Sequence, residues 1–379
     1  MDILIENAVP LNNGDAALIF AVGDEFEKRG DTVYYSTFDY ENVRRQYKQK
    51  KWIKSPLSNK IITKIPGINI LYLMIYLISH PIYRKFDAVV SAPGGYVNSF
   101  YGVRKKLNLL TLFNKLLKKP IYMYSQSIGP LTKSDQRALK NIIDSFRMFY
   151  VRDELSMDRI KRLSNSKNIY KTKDAAFLTY SNKNDTTKKT KRVAISVREW
   201  NEKPKEVSNF KNNIKDIVVY LIENGFQITF ISTCQGVRGY TDDSIIAKGI
   251  VAELSDSGFD ITNIIVDESY RTYDQLIDKI NEFDFVIGTR LHMCILALIN
   301  GIPAFNISYE EKGLECFKYL GIEKYSISYG QRDTQITDRI IEFIRNDDFH
   351  TTFDRIGDIQ KESQIYFDKL RKDILLTRG

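Results

Sequence analysis

Cysteine is scarce: the 379 residues hold only Cys234, Cys294 and Cys316, with no CxxC spacing. An odd, scattered set builds neither a disulfide framework nor a zinc site, and it fits reduced thiols in a cytoplasm. Histidine is as rare, at three residues, and no His/Cys/Asp cluster calls for a metal or other cofactor. Acidic residues are missing altogether between Glu41 and Asp87, an interval that carries ten Lys and Arg. Long apolar runs are also lacking. The segment INILYLMIYLISHPIY (68–83) is broken by Asn69, Ser79, His80 and Pro81, whereas a membrane-spanning helix needs ~20 apolar residues. An integral membrane protein is excluded on this reading, and the segment is either a buried helix or an interfacial one. The opening MDILIENAVP has no basic leader and soon becomes polar NNGD, so it reads as a first strand, not a signal peptide.

What is present suits a globular protein of two domains: 43% apolar and 27% charged residues over a length beyond one ordinary core. The net charge of +9 is uneven, with 29 Lys+Arg against 16 Asp+Glu in residues 1–180 and 27 against 31 in the remainder. The basic half either attracts phosphates or an anionic membrane surface, or is a solvated face. No nucleic-acid-binding module is recognisable, so nucleic acid is not an expected partner.

Short β-rich runs alternate with helical patterns, which indicates parallel βαβ units. The first half reads as strands at 2–7, 32–37, 87–91, 120–125 and 148–152, with helices near 15–29, 103–118, 133–146 and 153–164. A polar stretch, Ser181 to Lys191, reads as a linker. The pattern restarts with strands at 192–197, 227–232, 262–266, 284–287 and 303–307. Helices at 208–224, 241–256, 272–282 and 290–300 lie between them, and two amphipathic helices form the tail. The expected organisation is a Rossmann-like domain over 1–180, a second over 191–333, and C-terminal helices over 334–379.

Several motifs sit at the carboxyl ends of these strands, where open α/β sheets bind ligands. In NNGDAAL, Asn13 and Gly14 open a helix whose amides can face an anion. Asp15 there is either a cap or a grip on a sugar hydroxyl. Gly94 and Gly95 in SAPGGY let a ligand approach the backbone, and YSQSIGP (124–130) is a polar turn at a like position. Arg152 and Asp153 in VRDELS either pair and cap or touch a ligand, and Arg198 follows the first strand of the second half. The most informative stretch is DFVIGTRLHMCILALINGIPAFNISYEEKG (284–313). It places Arg290, Leu291 and His292 at a helix N-terminus, a favourable place for an anion held by an arginine fork. Lys312 lies past the next strand.

In order, NNGDAAL, PGG, SIGP, VRDELS with DAAF, and IGTRLHMCILALINGIPAFNISYEEKG resemble the polysaccharide pyruvyl transferase family over residues 2–320. The resemblance implies a GT-B-like fold of two Rossmann-like domains with a cleft between them, and phosphoenolpyruvate as donor. The first domain would then be the acceptor side and the second the donor side. The acceptor would be a glycan, either polymer or polyprenyl-diphosphate-linked precursor. Donor-binding arginine and catalytic histidine map onto Arg290 and His292, and a further donor-binding arginine onto Arg198. The family often has three glycines where this chain has Pro93-Gly94-Gly95.

Ketal formation adds two sugar hydroxyls to C2 of the donor, protonates C3 and expels phosphate. The site must hold a carboxylate and a phosphate and supply an acid near neutral pH, which suits His292. Asp15 or Asp153 would take a hydroxyl proton. A GT-B glycosyltransferase using a nucleotide sugar is the alternative, although such enzymes commonly carry an acid on the helix after the switch-point strand and helix 290–300 has none. On this reading Arg290→Ala weakens donor binding and leaves thermal stability nearly unchanged.

Overall fold

The computed structural model describes residues 1–59, 61, 65, 68–179, 190–199, 204–329, 334–346 and 348–377. Residues 181–189 of the expected linker, Trp200, Lys60 and Lys64 lie outside the described residues.

The chain divides into two compact units. Unit 1 comprises Met1–Pro10, Asp15–Leu178 and Gln360–Gly379; unit 2 comprises Leu11–Gly14 and Thr179–Ile359. Unit 1 opens with β1 (Asp2–Glu6), α1 (Asn13–Lys28), β2 (Thr32–Thr37), α2 (Tyr40–Gln46), β3 (Lys51–Lys54) and α3 (Ile68–Ser79). It continues with β4 (Ala88–Ser91), β5 (Gly94–Val97), α4 (Val103–Leu117), β6 (Ile121–Ile128), α5 (Lys133–Lys140), β7 (Phe146–Val151), α6 (Glu154–Lys161) and β8 (Ile169–Lys171). The main path of its parallel sheet runs β3-β2-β1-β4-β6-β7-β8, with β5 paired beside the end of β6. Every residue of β6 is buried, as expected of a central parallel strand covered on both faces.

Unit 2 holds β9 (Arg192–Ser196), α7 (Pro204–Glu223), β10 (Gln227–Phe230), α8 (Ser244–Asp256), β11 (Ile264–Val266), α9 (Tyr273–Ile280) and β12 (Phe285–Gly288). Then follow α10 (Leu291–Ile299), β13 (Ala304–Ser308), α11 (Glu311–Tyr319), β14 (Ser326–Ser328), α12 (Thr334–Arg345) and α13 (His350–Leu376). Its parallel sheet runs β11-β10-β9-β12-β13-β14, a doubly wound order that reverses between β9 and β12. In unit 1 the corresponding reversal falls between β1 and β4. These two switch points are where such sheets present ligand sites.

Local sequence accounts for the element ends. Thr272 and Gln275 form a reciprocal capping box at the start of α9. Thr132 caps α5 by accepting from the Asp135 amide. The helix near 133–146 is shorter than its pattern, ending at Lys140 and followed by a single 3₁₀ turn. The apolar 68–83 segment gives α3 and a further 3₁₀ turn, Pro81–Arg84. It is not the wholly buried helix that its composition allows. Leu73 and Leu77 are buried, whereas Ile68, Leu71, Ile75 and Ile78 face outward. The larger part of the last helix, from Gln360 on, belongs to unit 1, where Arg371 pairs with Asp31 and Arg29 with Asp368.

Candidate active site

In unit 2 the switch point brings together the ends of β9 and β12. Gly288 is in register with Ser196, and the Thr289 amide donates to the Ser196 carbonyl at 2.8 Å. Arg290 is the cap residue of α10, Leu291 its first residue and His292 its second. Leu291 is buried and fixes the helix entry. The next turns, Met293 to Ile299, are buried throughout, so packing and not solvent sets where residues 290–292 point.

Arg290 is buried and meets Asp243, which stands just before α8. Its Nε donates to Asp243 Oδ2 at 2.7 Å and its Nη2 to Oδ1 at 2.9 Å. The same Nη2 donates to Cys234 Sγ at 3.2 Å, and Ser232 Oγ donates to Asp243 Oδ2, the oxygen that Nε also uses. Burial works against the guanidinium charge, but Asp243, with smaller contributions from Cys234 and Tyr309, more than offsets it and holds the group firmly protonated. Among the described residues Nη1 makes no hydrogen bond. Asp243 is therefore a partner of Arg290 that the sequence motifs did not point to. An Asp before a helix looks like a cap, yet here it makes no side-chain cap bond.

Tyr309, directly after β13, links this arginine to the next. Arg198 Nη1 donates to Tyr309 Oη at 2.8 Å, and its guanidinium carbon lies 5.0 Å from the ring centre. Lys312 is on the first turn of α11 and pairs with Glu310 at 2.5 Å. The NNGD turn also belongs here. The Asn13 amide donates to the Thr233 carbonyl at 2.8 Å, and Asn13 Nδ2 donates to the Arg271 carbonyl at 2.7 Å. Those bonds press Gly14 against His292: a Cβ at Gly14 would lie 3.1 Å from His292 Nδ1 and 3.3 Å from its Cβ. Unit 2 thus gathers Asn13, Arg198, Arg290, Leu291, His292 and Lys312 on the carboxyl edge of one sheet.

Unit 1 holds Asp15, Gly94, Gly95, Arg152 and Asp153. Gly94 adopts φ +140, a region that only glycine occupies at no cost, and is in register with Gln126. A Cβ there would lie 3.7 Å from Asp15 Oδ1. Lys106, on the first turn of α4, feels the Asp15 carboxylate and sits 4.5 Å over the Tyr96 ring. Burial pulls its ammonium down to about 8, and Asp15 opposes that shift without cancelling it. In the run RKK (104–106) nothing in the local pattern distinguishes this lysine from its neighbours. Gln126 is fully buried, and among the described residues neither end of its amide is bonded.

Arg152 and Asp153 are committed within the unit. Arg152 Nη1 pairs with Asp174 at 2.6 Å and its Nε donates to Ser127 Oγ at 2.7 Å. Asp153 caps α6 by accepting from the Ser156 amide at 2.7 Å, and its other oxygen accepts from Ser127 Oγ. Of the alternatives open for this pair, ion pairing and capping are what the structure shows. At the end of β1, Glu6 is fully buried, and burial raises its carboxyl to about 7 against the hydrogen bonds of Ser36 and Ser55.

Two doubly wound parallel units followed by helices define a GT-B-like class of fold, and comparison with solved structures agrees. UDP-GlcNAc 2-epimerase from Methanocaldococcus jannaschii is similar with a TM-score of 0.62 at 11% identity, covering all of both chains. A variant of S. aureus TarM, crystallised with Fondaparinux, alpha-GlcNAc-glycerol and UDP, gives 0.61 at 11% identity over 100% of this chain and 99% of that one. Such low identities carry the fold alone. The chain itself belongs to the polysaccharide pyruvyl transferase family, whose model matches residues 12–311. The amylovoran biosynthesis protein AmsJ of Erwinia amylovora is 24% identical over 324 residues, 78% of this chain and 74% of that protein. The protein is accordingly a transferase of polysaccharide biosynthesis.

Proposed function

We propose that the chain transfers the enolpyruvyl group of phosphoenolpyruvate to two hydroxyls of one sugar, forming a pyruvate ketal and releasing phosphate. The observation that carries this reading is the Arg290–Leu291–His292 run at the head of a buried helix, within a chain of this family. The donor's carboxylate and phosphate need cationic partners; Arg290, Arg198, Lys312 and the first amides of α10 supply them. Asp243 occupies one edge of Arg290 and leaves Nη1 as the donor offered to substrate.

In the proposed sequence His292 gives its proton to C3, which becomes the methyl group, and positive charge develops at C2. A sugar hydroxyl adds to C2 and loses its proton to Asp15. The bond between C2 and the phosphate oxygen breaks, and the second hydroxyl closes the ketal. Two hydroxyl protons are released overall; one replaces the proton given to C3 and the other leaves with phosphate. Asp153 is not assigned the base role, because both its oxygens already accept hydrogen bonds. Gly94, Gly95 and Lys106 line the acceptor side in this reading. It needs no cofactor and puts the reaction in the cytoplasm, on a surface polysaccharide or its lipid-linked precursor.

Incubation with phosphoenolpyruvate and candidate glycans tests it directly. Acceptor-dependent phosphate release, with a methyl ketal signal in the product, is the expected result. Turnover of a nucleotide sugar with no consumption of phosphoenolpyruvate would replace this reading with glycosyl transfer.

A further inference from the structure

Helix α3 is apolar on every side, with Asn69 and Ser79 its only polar residues outside the tyrosines. A helix of that composition belongs inside a core or against lipid. Only one face finds a core: Leu73 and Leu77 are buried, and Tyr72 and Tyr76 pack beside them. On the opposite face Ile68, Leu71, Ile75 and Ile78 are 52%, 58%, 58% and 47% exposed, and Ile82 continues the line at 38%. Their spacing of three and four residues makes one continuous stripe. Scattered exposed leucines need no explanation, but a contiguous stripe of this kind marks an interaction surface.

Among the described residues, the exposed charges that border the stripe, Lys54 and Arg84, are both basic. Tyr76 and Tyr83 donate to the Lys54 carbonyl, which puts exposed Lys54 beside the helix. Exposed Arg84 follows Ile82 by two residues. The neighbouring helix α4, which packs against α3, carries basic residues and no acid. Not every lysine of the acid-free interval contributes: Lys50 is tied to Asp24 and Glu27 of α1.

We infer that the outward stripe of α3, flanked by Lys54 and Arg84, is a docking surface for an anionic lipid bilayer. At 12 residues the helix is ~18 Å long, too short to cross a hydrocarbon core of ~30 Å, and no described helix is long and apolar enough to cross a membrane. It lies in the interface with its isoleucines among the acyl chains, while Lys54 and Arg84 reach the phosphate plane. A second copy of the chain is the poorer occupant, because a two-fold contact would bring the same basic rims together. The inference does not rest on the pyruvyl-transfer reading, since it is tested without substrate.

The test is co-sedimentation of the full chain with phosphatidylglycerol vesicles and with phosphatidylcholine vesicles. The chain is expected to bind the former, to be released as salt rises, and to bind the latter weakly. Leu71→Ser combined with Ile75→Ser is expected to lower binding by about tenfold or more. Lys54→Gln with Arg84→Gln is expected to cost about fivefold per charge on the anionic vesicles. Should the serine pair also lower the melting temperature, Ile78→Trp gives a second reading: its emission is expected to be quenched by brominated acyl chains in phosphatidylglycerol vesicles. No vesicle binding, equal binding to both lipids, an unaffected serine pair, or an unquenched Trp overturns the proposal. So does a wild-type dimer that the serine pair converts to monomer, which would give the stripe to a second copy.

Discussion

Asp243 grips Arg290 through two hydrogen bonds of 2.7 and 2.9 Å, and both side chains are buried. The pair corrects the expectation that Arg290→Ala would leave stability untouched. Removing the arginine strands a buried carboxylate, and breaking such a pair costs about 3–5 kcal/mol. Urea denaturation of Arg290→Ala is expected to show that loss, and Arg290→Met with Asp243→Leu is expected to recover most of it. A single variant that unfolds at the wild-type urea concentration would mean the pair contributes nothing to the fold.

His292 is expected to control turnover. His292→Ala and His292→Gln should each lower kcat by on the order of a hundredfold or more, because neither supplies a proton near neutral pH. Gly14→Ala probes the same ring more gently. The added Cβ, at 3.1 Å from Nδ1, must push the imidazole by a few tenths of an ångström. Turnover is expected to fall about tenfold from that misplacement, with the melting temperature unchanged. Wild-type kinetics in Gly14→Ala together with an active His292→Gln would remove His292 from the chemistry.

Glu6 should make stability depend on pH. Its folded carboxyl is raised to about 7 from 4.5 by burial, so the native state holds a proton that the unfolded chain releases. The resulting stabilisation is complete below the unfolded value and is lost as pH rises through about 7, a change of about 3 kcal/mol. Denaturation at about pH 5 and about pH 8 measures the difference. Glu6→Gln is expected to flatten it, and an unchanged slope would assign the effect to other groups.

Lys106 is expected to act on the acceptor side. Lys106→Met should raise the acceptor KM about tenfold, the loss of one charge-assisted contact, with little change in the KM for phosphoenolpyruvate. The alkaline limb of the kcat/KM profile, near the value of about 8 that burial gives this ammonium, should move in the variant. An equal rise in both KM values, or an unmoved limb, would return Lys106 to a packing role.

The doubly wound pattern was legible because parallel strands and their covering helices carry strong, opposite periodicities. The strands that escaped notice are short ones. KWIK in β3 is an edge strand whose lysines point to solvent, and SIS in β14 spans three residues. Arg290 and His292 stood out because the Gly288-Thr289 turn and the apolar face after them fix a helix start. Asp243 and Tyr309 did not, since they reach Arg290 from 47 residues before and from the far side of the next strand. Their role comes from β-sheet order, which no local spacing encodes. Arg152 and Asp153 were readable either way, as an ion pair and cap or as ligand contacts, and the structure ties them to Asp174, Ser127 and the cap of α6.

All three thiols are enclosed. Cys234 lies against Arg290, Cys316 against Tyr319, and burial pushes the Cys294 thiol up to about 12. A maleimide added to the native protein therefore meets no accessible thiolate. The natural chain already serves as a cysteine-silent background, and Ile78→Cys would carry a fluorophore or spin label at one defined point without any thiol first being deleted.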